Sequence, residues 1–88
     1  MIAAEKKARI ISDFRRDESD TGSPEVQIAL LTARIQEVAE HMRSNKQDFH
    51  NRRGLVAMVS RRNSLLRYLA RTDRERYLDT IQRLGLRK

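Results

Sequence analysis

Apolar residues recur at helical spacing in four stretches, each separated from the next by a polar or charged break. In the first, Ala3 to about Arg16, Ala8, Ile10, Ile11 and Phe14 form a stripe too short to hold a helix firmly. Arg15 to Asp20 then reads as a charged linker, and this end is expected to be the most mobile part of the fold. From Pro24 to about Arg43, Ile28, Leu31, Ile35, Val38 and Met42 alternate steps of three and four, the period of a helix that buries one face. Ser44 to Asn51 is polar apart from Phe49 and predicts a turn, short enough to make the helices on either side antiparallel. A third helix is expected from about Arg52 to Arg71, with Leu55, Met58, Val59, Leu65, Leu66 and Leu69 inward. Arg62 falls on that same face, where it must snorkel to the edge or pair with an acid. Thr72 with Glu75 fits a capping box for a last helix over about Asp73 to Leu84, its inner face Tyr77, Leu78, Ile81 and Leu84. Gly85 is placed to end that helix in the left-handed conformation, and Leu86 to close over it. No stretch carries a strand signal. The expected fold is all-α: one domain over residues 1–88, a long antiparallel pair packed with a short C-terminal helix and a mobile N-terminal one.

The local chemistry is densest where the second helix begins, at Asp20-Thr21-Gly22-Ser23-Pro24-Glu25-Val26-Gln27. Gly22 permits a turn that a side chain would resist, Ser23 is a favoured N-cap, and Pro24 suits the first helical position. Glu25 lies at the end of the helix dipole that favours an acid. Val26 occupies the place where a capping box would need Glu or Gln, so the cap is a simple one. Thr21, Gly22 and Gln27 cluster at this corner, which serves either as a plain helix start or as a binding corner.

Charge separates the two halves of the chain. The formal net charge is +7. Residues 1–44 hold seven Lys/Arg and eight Asp/Glu, whereas residues 45–88 hold twelve and four, so the halves carry -1 and +8. A field concentrated on one half suits a polyanionic partner. The absence of cysteine excludes a disulfide framework and a thiolate metal site. A mean hydropathy of -0.74, no long apolar run and no signal-peptide h-region predict a small cytoplasmic protein with no membrane partner.

Candidate chemistry then falls into two polar clusters. Gln27, Arg34 and His41 repeat every seven residues along the rim of the second helix. On the third helix, Ser64, Tyr68 and Arg71 share the side away from the leucines, with Arg61 beside them. Tyr68 there either packs on a neighbour or offers a flat, polar-tipped ring to a nucleic acid. In an antiparallel pair this patch lies beside the Thr21–Gln27 corner, while His41, Lys46, Asp48 and Asn51 gather with Arg52 and Arg53 at the far end. His41 with Asp48 lacks a third metal ligand and a nearby nucleophile, and no glycine run cradles a phosphate, so no metal, cofactor or enzymatic role is expected. Arg34, Lys46, Arg52, Arg53 and Arg61 are candidate phosphate contacts. Two contact patches on a rigid pair suit a ruler laid along a structured partner. The competing class is a DNA-binding or protein-scaffolding module. A helix-turn-helix reader needs a short recognition helix, and a coiled-coil adaptor would carry its heptads through the Asn45–Asn51 turn.

The residues resemble a known family. Asp20 to Thr32 is similar to the signature of bacterial small-subunit ribosomal protein fifteen, as are Glu40-His41, Arg52-Arg53-Gly54-Leu55, Leu65 to Leu69, Arg76-Tyr77 and Arg83 to Leu86. The resemblance spans about Ile10 to Lys88. It implies a structural constituent of the small ribosomal subunit, bound directly to the central domain of the small-subunit ribosomal RNA early in assembly. It also implies neighbouring small-subunit proteins as partners and a monomer off the ribosome. By this resemblance Thr21, Gly22, Gln27, Tyr68 and Arg71 grip a three-way junction, while His41, Asp48 and Asn51 read a G·U/G·C minor groove. The family further helps bridge to large-subunit ribosomal RNA, and some members bind their own messenger RNA. The chain departs from the pattern at Asp48-Phe49-His50-Asn51, where Asp-His-His-Ser is usual, and at Ser64, where a basic residue is usual. Asn63 dilutes the same basic run.

Overall fold

The computed structural model describes residues 3–20, 22–44 and 49–86, with the side chains of residues 49–51 outside that description. Four helices and no strand occur among the described residues: α1 (Ala4–Phe14), α2 (Pro24–Ser44), α3 (Phe49–Thr72) and α4 (Arg74–Leu84). α2 and α3 form the long pair, α1 lies against α2, and α4 folds back on the end of α3 and the start of α2. At 1.5 Å per residue α3 alone spans about 36 Å. That length sets the long axis of the 39 × 28 × 18 Å molecule. The radius of gyration, 13.5 Å, exceeds the roughly 12 Å of a compact domain of this length, so the fold is elongated.

The core sits at one end of the hairpin. Ile28 and Leu69, both 0% exposed, meet Leu66, and Leu65, Tyr77, Ile81, Leu84 and Leu86 close round them. Val26, Ala29, Leu31 and Ala33 are also buried on α2. Further along the pair the expected stripe continues, but Ile35, Val38, Met42, Leu55, Met58 and Val59 are only half-buried. The reason is coverage, because α4 has eleven residues and packs at the other end. α1 buries none of its residues.

Several boundaries and faces differ from the sequence reading. α3 begins at Phe49, so Phe49 to Asn51 belong to the helix, and the rest of the expected turn after Ser44 lies outside the described residues. α3 also runs through Thr72, whose hydroxyl donates to the Tyr68 carbonyl at 3.0 Å, and Thr72 is therefore no cap. Asp73 caps α4 instead, accepting from the Arg76 amide at 3.2 Å. One residue thus joins the two helices, its amide donating to the Leu69 carbonyl at 2.8 Å and its carboxylate capping α4, with Asp as good a cap as Thr. Leu78 is 46% exposed, and Thr80, two positions round the helix, is buried in its stead. Arg62 is half-buried with its Nε enclosed and lacking a hydrogen-bond partner, so the expected acid pairing does not engage that nitrogen. Gly85 does adopt the left-handed conformation, φ 70°, and the Leu86 amide returns to the Ile81 carbonyl at 2.8 Å. The linker 15–20 forms a hydrogen-bonded turn: the Ser19 amide and hydroxyl both donate to the Asp17 carboxylate, at 2.9 and 2.7 Å.

Leu69→Ala removes a fully buried side chain and is expected to cost about 2–5 kcal/mol. Leu78→Ala, at a half-exposed site, is expected to cost less than about 1 kcal/mol. Urea unfolding followed by circular dichroism distinguishes the two.

Candidate nucleic-acid interface

Asp20 organises the corner before α2. Its Oδ1 accepts from the amides of Gly22 and Ser23, at 3.1 and 2.8 Å, and its Oδ2 from the amide of Arg16, at 2.8 Å. The Ser23 hydroxyl first, and then these amides, hold the Asp20 carboxyl down at about 2. Ser23 caps α2 through a 3.4 Å bond from the Val26 amide to its Oγ. Gly22 takes no positive φ, and a Cβ built on it would meet nothing within 4 Å. The turn therefore does not require glycine, contrary to the sequence reading.

Gln27 does two structural jobs. Its amide nitrogen donates to the Gly22 carbonyl at 2.8 Å, and its Oε1 accepts from Arg61 at 3.5 Å. The second bond joins the corner to α3. Arg34, also exposed, lines a groove of about 390 Å³ with Lys7, Gln27, Met58 and Arg61.

Farther along α3, Ser64, Tyr68 and Arg71 are all exposed, as expected for one shared face. Tyr68, at 48% exposure, is among the large side chains the fold leaves uncovered. Ser64 accepts a 3.2 Å bond from Arg67. At the opposite end, about 21 Å from Gln27 along α2, His41 is exposed, and Arg52 and Arg53 are exposed at the start of α3. Thr21, Lys46, Asp48 and the side chain of Asn51 lie outside the described residues.

What the sequence reading missed lies beneath the corner. Glu25, 6% exposed, is a buried carboxylate held by two arginines. Arg16 reaches it from the linker, Nη2 to Oε1 at 2.9 Å, and Arg76 from α4, Nη1 to Oε2 at 3.0 Å. Both guanidiniums are themselves more than two-fifths exposed, so the carboxylate lies shallow under a partly solvated cover. Burial pushes the Glu25 carboxyl up, but the bonds from Arg16 and Arg76 outweigh it and hold the group below its ordinary range. The same bonds raise Arg16 further. Next to this hub Arg83 lies 4.1 Å over the Phe14 ring and donates to the Asp13 carbonyl at 2.7 Å, fastening the end of α1 to α4. The signal for Glu25 was faint, an acid in the first turn of a helix with arginines scattered elsewhere.

Among the described residues no group of three His, Asp, Glu or Cys side chains could hold a metal ion, and no helix is long and apolar enough to cross a membrane. Exposed arginines and a half-exposed tyrosine on a long helical pair have the makeup of a helical module suited to a polyanionic partner. Comparison with known proteins narrows the class. The profile of the family described as Ribosomal protein S15 matches residues 6–87. The small ribosomal subunit protein uS15 of Halorhodospira halophila is 61% identical over 87 residues, which cover 99% of this chain and 98% of the relative. That of Alkalilimnicola ehrlichii is 58% identical over the same coverage, and that of Leptospira biflexa 56% over the full length of both chains. The chain belongs to the ribosomal protein S15 family.

Asp20 and Glu25 both have carboxyls depressed in the fold, so the stability they contribute is complete above the ordinary carboxylate values of about 4 and is lost as pH falls below them, for Asp20 toward about 2. Thermal melts of the protein are expected to hold level on this account above about pH 5 and to drop steeply below about pH 4. The double variant Asp20→Asn/Glu25→Gln is expected to melt lower near neutrality and to show a shallower acid slope.

Proposed function

We propose that this chain is a structural constituent of the small ribosomal subunit that binds ribosomal RNA directly in the central domain and promotes assembly. Family membership supports a role in the cytoplasmic ribosome beside other small-subunit proteins. The corner at Gly22 and Gln27, with Ser64, Tyr68 and Arg71 on α3, grips a three-way junction. Thr21 completes that corner. His41, Asp48 and Asn51 read a G·U/G·C minor groove, and Arg34, Lys46, Arg52, Arg53 and Arg61 neutralise phosphates. A contribution to a bridge with large-subunit RNA belongs to the same reading, as does recognition of the protein's own messenger RNA.

One observation carries the junction assignment: the Gln27–Arg61 bond ties the α2 corner to the exposed face of α3 that bears Tyr68. At 3.5 Å and between exposed side chains the contact is a weak one, but it brings the two halves of the patch side by side. Gly22 adds to this. Since the turn places no demand on that position, the bare backbone there suits close approach by a ligand. Junctions offer unpaired, shape-specific surfaces, and the wide, shallow minor groove of RNA admits side-chain contact, so a rigid helical pair can recognise both by shape and a few polar groups. Arginines supply the salt-dependent phosphate attraction, and Gln27, Tyr68 and His41 set the register.

The test is a titration against a minimal three-way-junction RNA carrying the G·U/G·C element, an RNA with the junction closed, and a DNA duplex. Selective binding to the junction at moderate salt supports the reading. Equal, salt-labile binding to all three reduces it to a basic helical protein. Arg71→Ala is expected to weaken junction binding by about 1–3 kcal/mol. His41→Ala is expected to lose discrimination between the native and a mutated G·U/G·C element, and equal losses on both would contradict the groove assignment.

A further inference from the structure

We infer that the cleft between α3 and α4 is a pocket for one unpaired RNA base, separate from the junction and minor-groove contacts. This rests on the RNA-binding reading and adds a site to it. The cleft holds about 350 Å³ and is lined by Asn63, Leu66, Arg67, Ala70 and Tyr77. That volume falls at the small end of ligand pockets, roughly 300–1,000 Å³. Its lining contains no carboxylate, in a chain with twelve Asp and Glu.

Each lining group has a use in holding a base. Leu66 is buried in the core and Tyr77 is half-buried against the same core, so both lend the lining apolar surface. Ala70 is a small lining residue, and a larger side chain there would take up part of the cleft. Apolar surface with an aromatic ring accepts the π-face of any base. Asn63 is an exposed lining residue and offers an amide donor and acceptor to a base edge. Two cations stand ready for the backbone. Arg67 lines the cleft, and Arg74 lies 5.9 Å from the Tyr77 ring centroid.

Position links the pocket to the α3 patch. Arg67 and Ala70 also line a neighbouring depression of about 510 Å³ together with Ser64 and Arg71. Arg67 therefore stands on the ridge between the junction patch and the cleft, and its 3.2 Å bond to Ser64 holds it there. An RNA strand leaving Arg71 crosses Arg67 and can turn one base into the cleft. Asn63, a dilution of the basic run from the standpoint of phosphate binding, gains a role as the group that reads this base.

The chain has no tryptophan and two tyrosines, which gives a direct probe. In Tyr68→Phe protein the only tyrosine emission comes from Tyr77. Adding short single-stranded oligoadenylate is expected to quench it saturably. Ala70→Leu in that background fills the cleft and is expected to weaken the quenching titration by at least roughly tenfold. Asn63→Ala is expected to reduce the difference between oligoadenylate and oligouridylate. In protein retaining Tyr68, Ala70→Leu is expected to keep its helical circular dichroism, and Asn63→Ala, which lies outside the depression shared with Ser64 and Arg71, is expected to keep its affinity for the minimal three-way-junction RNA. Absence of quenching in the Tyr68→Phe parent, or equal quenching with Ala70→Leu, would overturn the pocket. Either result leaves the junction titration standing, so failure of this site is distinguishable from failure of the RNA-binding reading.

Discussion

Glu25 is the constraint on which the rest depends. A single carboxylate at the start of α2 is covered by the fold, and it collects an arginine from the linker and another from α4. A buried charge left unpaired would be costly, and here each oxygen has a charged donor. Three segments distant in the chain are thereby required to converge at one point. The partners are partly solvated, so the gain in stability is moderate and the gain in definition is larger. If the linker leaves or α4 swings away, that charge loses one of its two partners.

The hub explains how an elongated fold with a small core presents a defined surface. The hydrophobic cluster of Ile28, Leu66 and Leu69 is at the same end as Glu25, and beyond it the α2–α3 pair is only half covered. Rigidity is thus concentrated where the corner, the Gln27–Arg61 bond and the exposed Tyr68 face lie. Asp20 fixes the turn from one side through backbone amides, and Ser23 fixes the helix start from the other. A surface that reads RNA by shape needs such preorganisation, because few of its contacts are individually strong.

Much of this was legible in the chain because it is local. Ser23-Pro24 marks a helix start, and Gly85 marks an end, through chemistry within a few residues, and both act as expected. The α2 stripe was readable from its period, although its outer half proved only half-buried, since period reveals a face and not what covers it. Where two nearby residues could do one job, local reasoning chose the wrong one: Thr72 for Asp73 as cap, Leu78 for Thr80 as the inward residue. The Glu25 hub was illegible for a different reason. Its partners stand nine and fifty-one residues away, and no short-range pattern pairs them. Gly22 was assigned to backbone freedom, whereas its φ is not positive and a side chain there would meet nothing within 4 Å.

Whether the buried carboxylate braces the corner proposed to meet RNA is tested directly by one measurement. Glu25→Gln keeps the size of the side chain and removes its charge. Its affinity for the minimal three-way-junction RNA should be compared with that of the parent protein, at a temperature where both have full helical circular dichroism. The account expects junction affinity to fall by roughly tenfold, or about 1.4 kcal/mol, while salt-labile binding to a DNA duplex is kept or increased by the extra positive charge. Unchanged junction affinity in a fully folded Glu25→Gln protein would contradict the account, leaving the hub as an element of stability alone.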